Sequence, residues 1–235
     1  MALNSSDAKA DGVQLSERKA VAPPGYAFSP EVVMLSDPRG ARAESIRALR
    51  THIMARHVSD GRRGLAICAA TEGVGATFTA VNLAVSLSQI GTKVLLIDGD
   101  LRNPAVNDFI RPADDVVGLR QCLETAGGQA TFIQSDVLEN LSIMYSGGQS
   151  GQAQELLASE NFALLIERCL RDFDITIVDT PSASSSADAR RISNVVGYGL
   201  IVARRHESYV SDIAALGGQL TDDRATIVGT VMTEA

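Results

Sequence analysis

Cysteine is scarce in this chain, which has three among its 235 residues. Cys68, Cys122 and Cys169 are odd in number and widely spaced, and each lies inside an apolar run rather than in a paired motif. This pattern excludes a disulfide framework and predicts buried, reduced thiols in a cytoplasmic protein. The histidines show no metal-ligand spacing with a cysteine or a carboxylate, so the sequence predicts no structural metal.

The chain also lacks long apolar runs and an excess of positive charge. No uninterrupted apolar segment reaches the roughly 20 residues that a transmembrane helix needs, and the first residues do not resemble a signal peptide. The formal net charge of −7 gives no overall attraction to nucleic acid. With 45% hydrophobic residues, the composition predicts one globular cytoplasmic domain with a sizeable core.

Two regions are distinguished at the N-terminal end. Residues 1–30 contain no sustained apolar period and include the break Pro23-Pro24-Gly25, so we expect a flexible arm ahead of a folded domain at 31–235. Within residues 31–60, apolar side chains recur at helical spacing from Glu44 to His57, with arginines between them. This spacing predicts an amphipathic helix before the first strand of the domain.

Further along the chain, short apolar runs alternate with segments of helical length. Two buried strands joined by a helix of this length lie parallel in one sheet. The sequence therefore predicts an α/β fold with a doubly wound, mostly parallel sheet that binds ligands beyond the carboxyl ends of its strands. The predicted strands are 64–69, 93–98, 141–145, 175–179, 199–203 and 226–232, and the predicted helices are 77–90, 118–126, 160–171 and 208–220.

The segment between the first predicted strand and its helix is rich in glycine. In this loop, residues 70–77, Gly73 and Gly75 allow backbone N–H groups to turn toward a phosphate, and the start of the helix adds a favourable dipole. Thr77 supplies a hydroxyl of the kind that coordinates Mg²⁺. The segment is typical of a phosphate-binding loop.

Carboxylates follow two of the other predicted strands. Asp98 and Asp100 come directly after the second strand, with Arg102 two residues further on, and Asp179 ends a hydrophobic strand. An aspartate in the last position is suited to hold a metal-bound water. Each of these three segments is common by itself, but their occurrence in this order on one sheet indicates a nucleotide site.

From about Glu31 to the end, the chain resembles the cytoplasmic domain of the bacterial tyrosine kinases that regulate capsule and exopolysaccharide synthesis. These kinases are a branch of the P-loop ATPases with a deviant Walker motif, related to MinD and ParA. The resemblance rests on the Glu-x-x-Arg-x-x-Arg helix at 44–50, on Asn82-Leu83-Ala84, on the segment 96–104, on Glu155-Leu156-Leu157, on Val178-Asp179-Thr180-Pro181 and on Asp188-Ala189.

The resemblance carries expectations about cofactor, assembly and location. It implies binding of ATP or ADP with Mg²⁺, no other metal, docking of the helix onto a neighbouring copy or a related kinase, and recruitment by a membrane-embedded chain-length regulator. The protein would then lie at the inner face of the cytoplasmic membrane through that partner. The implied residues are Asp98, Asp100 and Arg102 for catalysis, Gly73, Val74, Gly75, Ala76, Thr77, Phe78 and Thr233 for the cofactor, Thr77, Asp98 and Asp179 for Mg²⁺, and Glu44, Arg47 and Arg50 for oligomerisation.

The sequence departs from the family at the residues that would hold ATP. Ala76 stands where the family has the P-loop lysine, and Phe78 puts a ring where a small hydroxyl would meet the α-phosphate. By analogy with a truncated buried charge pair, loss of the lysine costs about 2 to 5 kcal/mol, roughly 30-fold to several-thousand-fold in binding or rate. The other lysines, Lys9, Lys19 and Lys93, are predicted to lie away from the loop, and no arginine is indicated as a substitute.

Two further departures concern the base and the acceptor. Thr233 replaces the asparagine that reads the adenine edge in the family, and its hydroxyl cannot supply the same paired donor and acceptor. No tyrosine follows Tyr209, whereas the family carries an autophosphorylated tyrosine cluster in its tail. The phosphate acceptor, the reading of the base and the compensation of phosphate charge are thus all weakened together, and the last two predict weak ATP binding.

Three functions remain in view from the sequence. The leading hypothesis is a kinase-like adaptor of polysaccharide biosynthesis that transfers phosphate poorly or not at all. The alternative is an active tyrosine kinase or ATPase in which an arginine replaces the lysine, Asp98 assists deprotonation of the attacking hydroxyl, and Thr77 and Asp179 hold Mg²⁺. The third, a positioning ATPase of the ParA or MinD kind, ranks lower because residues 70–72 lack the early lysine of that loop.

Overall fold

The computed structural model describes residues 25–125 and 129–234. Strands alternate with helices over most of this range. The strands are β1 (Tyr26–Phe28), β2 (Gly64–Ala69), β3 (Val94–Asp98), β4 (Ile110–Pro112), β5 (Gln134–Leu138), β6 (Leu141–Met144), β7 (Ile175–Asp179), β8 (Tyr198–Arg204) and β9 (Thr226–Thr233). The helices are α1 (Val33–Ser36), α2 (Ala41–Arg56), α3 (Ala76–Ser88), α4 (Val106–Phe109), α5 (Leu119–Glu124), α6 (Ala153–Ala158), α7 (Glu160–Asp172), α8 (Asp188–Val196) and α9 (Val210–Asp222), with 3-10 turns at Val58–Asp60 and Gln129–Phe132.

Seven of the strands form one sheet in the order β5-β6-β3-β7-β2-β8-β9. All neighbouring strands are parallel except β5, which runs antiparallel to β6 at one edge. Every residue of β2, β3 and β7 is buried, as expected of strands covered by helices on both faces. The doubly wound, mostly parallel α/β sheet predicted from the sequence is confirmed.

The core lies in two layers, one on each face of the sheet. One layer joins α2 and α3 to the sheet through residues such as Ile46, Ile53 and Leu83. The other joins α7, α8 and α9 to the opposite face through residues such as Phe162, Ile192 and Leu216. Because both faces are covered, the carboxyl ends of the central strands are left as the open edge where polar residues gather.

Asn82 fastens the N-terminal segment of the domain to α3. Its side chain is fully buried, its Oδ1 accepts from Met34 N at 3.3 Å, and its Nδ2 donates to Glu31 O and Phe78 O at 3.0 Å each. The segment before α2 is therefore held against the helix that begins at the phosphate-binding loop.

The structure corrects the sequence prediction at several points. The predicted arm, residues 1–30, does not reach residue 30, because Tyr26–Phe28 pairs antiparallel with β4; residues 1–24 lie outside the described part of the chain. Both strands of this small sheet are three residues long, too short to give a periodic pattern. The antiparallel β5 and the helix α8 were also not predicted.

The described residues show the state of the cysteines and whether any helix is suited to span a membrane. All three cysteines are buried and free, as predicted. Within residues 25–125 and 129–234, no helix combines the length and the apolar character required to span a bilayer.

Candidate nucleotide-binding site

The glycine-rich loop connects β2 to α3 as predicted. Gly73 and Gly75 adopt left-handed backbone conformations with φ of 75° and 91°, which glycine tolerates and other residues rarely adopt. Gly75 O accepts from both the backbone N and the Oγ1 of Thr79, at 3.0 and 2.8 Å, and so begins the helix. The loop thus leads into a helix N-terminus, the arrangement that binds phosphate in many proteins.

Thr77 and Asp179 meet beside this loop. Thr77 Oγ1 donates to Asp179 Oδ2 at 2.7 Å, while Asp179 Oδ1 is buried and has no hydrogen-bond partner among the described atoms. Burial raises the pKa of Asp179 to about 7, the Thr77 hydrogen bond opposes that shift, and the nearby charge of Asp100 adds to it. A hydroxyl and an unpaired carboxylate oxygen are ligands that Mg²⁺ prefers, and a cation here would compensate the buried charge. The residues present therefore fit a magnesium ion.

Asp98 lies directly opposite Asp179 on the neighbouring strand. Its two oxygens accept from Asp100 N and Val106 N at 3.2 Å each. Burial raises the pKa of Asp98 well above its usual range, and the charge of Asp179 raises it further. Two buried carboxylates so placed favour a bound proton on Asp98, which suits a group that exchanges protons with a substrate hydroxyl.

Asp100 and Arg102 have structural partners of their own. Asp100 Oδ1 accepts from Arg102 N and Asn103 N, which closes a tight turn. Arg102 Nε donates to the buried Asp188 at 2.7 Å. The hydrogen bond and charge of Asp188 raise the pKa of Arg102. Of the predicted catalytic residues, the structure thus brings Asp98 beside Asp179, which Thr77 contacts, whereas the Nε of Arg102 donates to Asp188 of α8.

No lysine of the described chain lies at the loop. Ala76 occupies the first position of α3, and the ammonium of Lys93 donates to Asp172 O at the opposite end of the sheet, as predicted. Sequence reasoning missed one nearby cation. Arg204 Nη1 donates to Gly73 O at 3.0 Å, and its Nε pairs with Glu207 at 3.2 Å. The signal was its position: Arg204 directly follows a predicted strand, and β8 adjoins the strand that precedes the loop.

A groove of about 990 Å³ lies along the outer side of the loop. It is bordered by α2, by Phe78 of α3 and by the ends of β8 and β9. The Arg42 guanidinium lies 4.5 Å from the centre of the Phe78 ring and pairs with Glu31 at 2.6 Å. Thr233 Oγ1 donates to Val74 O at 2.7 Å and to Ala203 O at 3.2 Å. The residue predicted to face the base therefore uses its proton to hold the loop.

The arginines of α2 contact their own chain. Arg47 pairs with Glu44 at 2.8 Å and donates to Pro38 O, and Arg50 donates to Ser86 O and Ser86 Oγ at 3.1 and 3.3 Å. Glu44 is the most exposed of the three, with 74% of its side-chain surface accessible. Of the residues predicted for oligomerisation, Glu44 is the one most available to a neighbouring molecule.

Comparison with known proteins decides the family. An AAA domain family model matches residues 63–196, which contain the loop, Asp98 and Asp179. Tyrosine-protein kinase CpsD of Streptococcus pneumoniae serotype 4 is 30% identical over 173 residues, covering 74% of this chain and 76% of CpsD. This chain belongs to the bacterial tyrosine kinase family of P-loop ATPases.

Solved structures agree with this assignment. The kinase domain of Escherichia coli tyrosine kinase ETK matches this chain with a TM-score of 0.80 at 26% identity. The match covers 87% of this chain and 80% of the ETK chain. The chimerical protein CapA2B2 matches with a TM-score of 0.77 at 25% identity, covering 87% and 89%. The cell division ATPase MinD of Pyrococcus furiosus, at 23% identity and a TM-score of 0.62, shares the fold over 73% of this chain and 71% of its own.

Proposed function

We propose that this chain is a kinase-like component of capsular or exopolysaccharide biosynthesis that transfers phosphate poorly and acts mainly as an adaptor. The observation that carries the proposal is Ala76 at the first position of α3, where the family places the lysine that neutralises the β- and γ-phosphates. The contact of Thr77 with Asp179 and the position of Asp98 opposite Asp179 support a Mg²⁺ site at these residues. In this proposal the loop keeps its metal site but lacks the positive charge that would compensate the phosphates.

The proposed cofactor is ATP or ADP with Mg²⁺, bound weakly. The backbone of residues 73–76, Thr77 and Asp179 would hold it, and Phe78 would crowd its α-phosphate. When bound, the nucleotide supplies the phosphoryl group for transfer. A missing ammonium at position 76 removes about 2 to 5 kcal/mol of compensation for the phosphate charges.

The proposed partner is a membrane-embedded chain-length regulator that recruits the protein to the inner face of the cytoplasmic membrane. The similarity to the chimerical protein CapA2B2 supports a form bound to such a partner. Glu44 would contact a second copy or a related kinase, together with Arg47 and Arg50 of the same helix, α2. In this role the fold presents surfaces for assembly and does not depend on fast phosphate transfer.

Calorimetric titration with ATP and Mg²⁺ tests the proposal. We expect wild-type protein to bind ATP weakly and the variant Ala76→Lys to bind it at least about 30-fold more tightly. Ala158→Lys, on the exposed end of α6, is the control for added charge and should bind ATP as the wild type does. Micromolar affinity together with steady hydrolysis by wild-type protein would contradict the adaptor function.

The position of Arg204 favours a second candidate, an active tyrosine kinase with an unusual loop. Its guanidinium already contacts Gly73 O and could compensate part of the phosphate charge. Under this alternative, purified protein carries phosphotyrosine or acquires it with a cytoplasmic fragment of the membrane partner, and Ala76→Lys changes ATP affinity little. Absence of phosphotyrosine in both preparations leaves the adaptor as the supported function.

A further inference from the structure

Two side chains at the ends of neighbouring strands hold consecutive carbonyls of the phosphate-binding loop. Arg204 and Thr233 are register partners at the carboxyl ends of β8 and β9. Arg204 Nη1 donates to Gly73 O at 3.0 Å, and Thr233 Oγ1 donates to Val74 O at 2.7 Å. We refer to Arg204 and Thr233 as the clamp.

The clamp residues are themselves fixed by backbone hydrogen bonds. Arg204 N donates to Ser208 Oγ at 2.9 Å, and Thr233 O accepts from Arg205 N at 2.9 Å. The loop approaches them closely, because a Cβ placed on Gly75 would lie 3.4 Å from Thr233 Cγ2. The loop is therefore held in its turned conformation by the sheet edge, without a contribution from a lysine.

Apart from the guanidinium groups of its arginines, the adjoining groove has no free side-chain donor for a base among the residues that the structure describes. Each hydroxyl lining it donates inside the chain: Ser45 to Ala41 O, Thr79 to Gly75 O, and Thr233 to Val74 O. Among its described lining residues there is no asparagine or glutamine, the side chains that pair a donor with an acceptor.

Each arginine of the groove lies in an ion pair with a glutamate. The three ion pairs are Arg42 with Glu31 at 2.6 Å, Arg204 with Glu207 at 3.2 Å, and Arg205 with Glu234 at 2.7 Å. The remaining surface is largely apolar and comes from Ile46, Leu49, Phe78, Val231 and Met232. Such a surface can stack on any base but offers no fixed hydrogen-bond pattern that distinguishes one base from another.

We propose that Arg204 and Thr233 are positioning residues that fix the loop for a diphosphate and leave the groove unable to select a base, so that the site binds nucleoside diphosphates of any base with similar affinity. This inference rests on the proposed function only in taking the loop as a nucleotide site. The unpaired, buried Asp179 Oδ1 beside the loop independently points to a ligand that carries a cation into this corner. The loop then recognises the diphosphate and its metal, and the base contributes stacking alone.

Calorimetric titration of the full chain with ADP, GDP, UDP and CDP, each with Mg²⁺, tests the inference. We expect the four dissociation constants of the wild type to agree within about threefold, because apart from the ion-paired arginines no described side chain of the groove is free to donate to a base. In Thr233→Val the hydroxyl is lost, and all four affinities should fall by about fivefold, the effect of one hydrogen bond, with their ratios unchanged. Thr233→Ser keeps the hydroxyl and should restore the wild-type affinities.

Matched controls separate positioning from general loss of structure. Thr230→Val makes the same change at an exposed site of β9, and Arg63→Gln removes a guanidinium that donates to Leu170 O and Arg171 O. Both should leave the four affinities unchanged, whereas Arg204→Gln should lower them together. A unique effect of Thr233→Val on one nucleotide would show that Thr233 reads a base and would overturn the inference.

Two other outcomes also overturn it and remain distinct from failure of the proposed function. ADP bound at least about tenfold more tightly than the other three would show base selection. No binding of any diphosphate at millimolar concentration would show that the clamped loop is not a nucleotide site, and the adaptor function would stand. Steady hydrolysis of ATP would contradict the adaptor function while leaving the comparison of bases valid.

Discussion

A neighbouring hydroxyl influences the protonation of the buried Asp179. Thr77 Oγ1 donates to Asp179 Oδ2 at 2.7 Å, and this hydrogen bond opposes the rise in pKa that burial causes. We expect Thr77→Val to leave both carboxylate oxygens without a side-chain donor, to raise the pKa of Asp179 further, and to lower the free energy of unfolding by about 1 to 3 kcal/mol. Urea denaturation at neutral pH measures the loss.

Thr77→Ser provides the matched control, because it keeps the hydroxyl and removes one methyl group. It should retain most of the stability lost in Thr77→Val. If both variants lose the same free energy of unfolding, then packing of the methyl group and not the bond to Asp179 stabilises this corner.

At the scale of elements, α2 is held to α3 by Arg50 and presents Glu44 outward. Arg50 donates to Ser86 O and Ser86 Oγ, so Arg50→Gln should lower the free energy of unfolding by about 1 to 2 kcal/mol. Glu44 is largely exposed, so Glu44→Gln should change that free energy by less than about 0.5 kcal/mol. Chemical denaturation of the two variants measures the difference.

The same pair of variants separates folding from assembly. If α2 docks onto a second copy as proposed, Glu44→Gln weakens self-association in analytical ultracentrifugation without loss of stability. A Glu44→Gln variant that is as destabilised as Arg50→Gln would show that the Glu44 pair with Arg47 mainly supports the helix itself.

At the scale of the whole molecule, stability should depend on pH through the buried carboxylates. Burial raises the folded-state pKa of Asp179 to about 7 from an ordinary value of 3.8, so the folded state holds a proton that the unfolded state has released. The contribution of Asp179 to the free energy of unfolding is therefore fully present below about pH 4 and is lost as the pH rises toward 7. We measure the free energy of unfolding against pH in magnesium-free buffer. Between pH 5 and 6, its decline should be shallower in Asp179→Asn than in the wild type by about 1.4 kcal/mol per pH unit.

The comparison removes the titration of Asp179 while the other titrating groups stay in the chain. Asp98 contributes with the same sign, and His57, whose pKa burial lowers, contributes with the opposite sign below its ordinary value of 6.5. His57 remains in the variant and cancels in the difference. The charge of Asp179 raises the pKa of Asp98, so a change at Asp98 on Asp179→Asn adds to the difference with the same sign. The exposed control Asp115→Asn should leave the pH profile as in the wild type, and equal profiles for wild type and Asp179→Asn would contradict the prediction.

Much of the fold and part of the site could be predicted from the sequence. The buried strands β2, β3 and β7 are largely apolar runs, and β3 and β7 end in aspartate. Their existence and the positions of the loop after β2, of Asp98 and of Asp179 therefore follow from local pattern. The absence of a lysine at position 76 is likewise a fact of sequence. The short strands β1 and β4 were missed because three residues cannot display a period.

The sequence by itself determined the alternation of strands and helices, the identity of the phosphate-binding loop and the residue that this loop lacks, because each depends on neighbouring residues in the chain. The tertiary structure alone decided which distant side chains reach that loop. Arg204 and Thr233 contact Gly73 and Val74 across 131 and 159 positions of sequence, and Arg102 turns to Asp188 across 86. Such contacts depend on the order of strands in the sheet. That order brings together side chains that are far apart in the sequence, so no local pattern of residues could predict them.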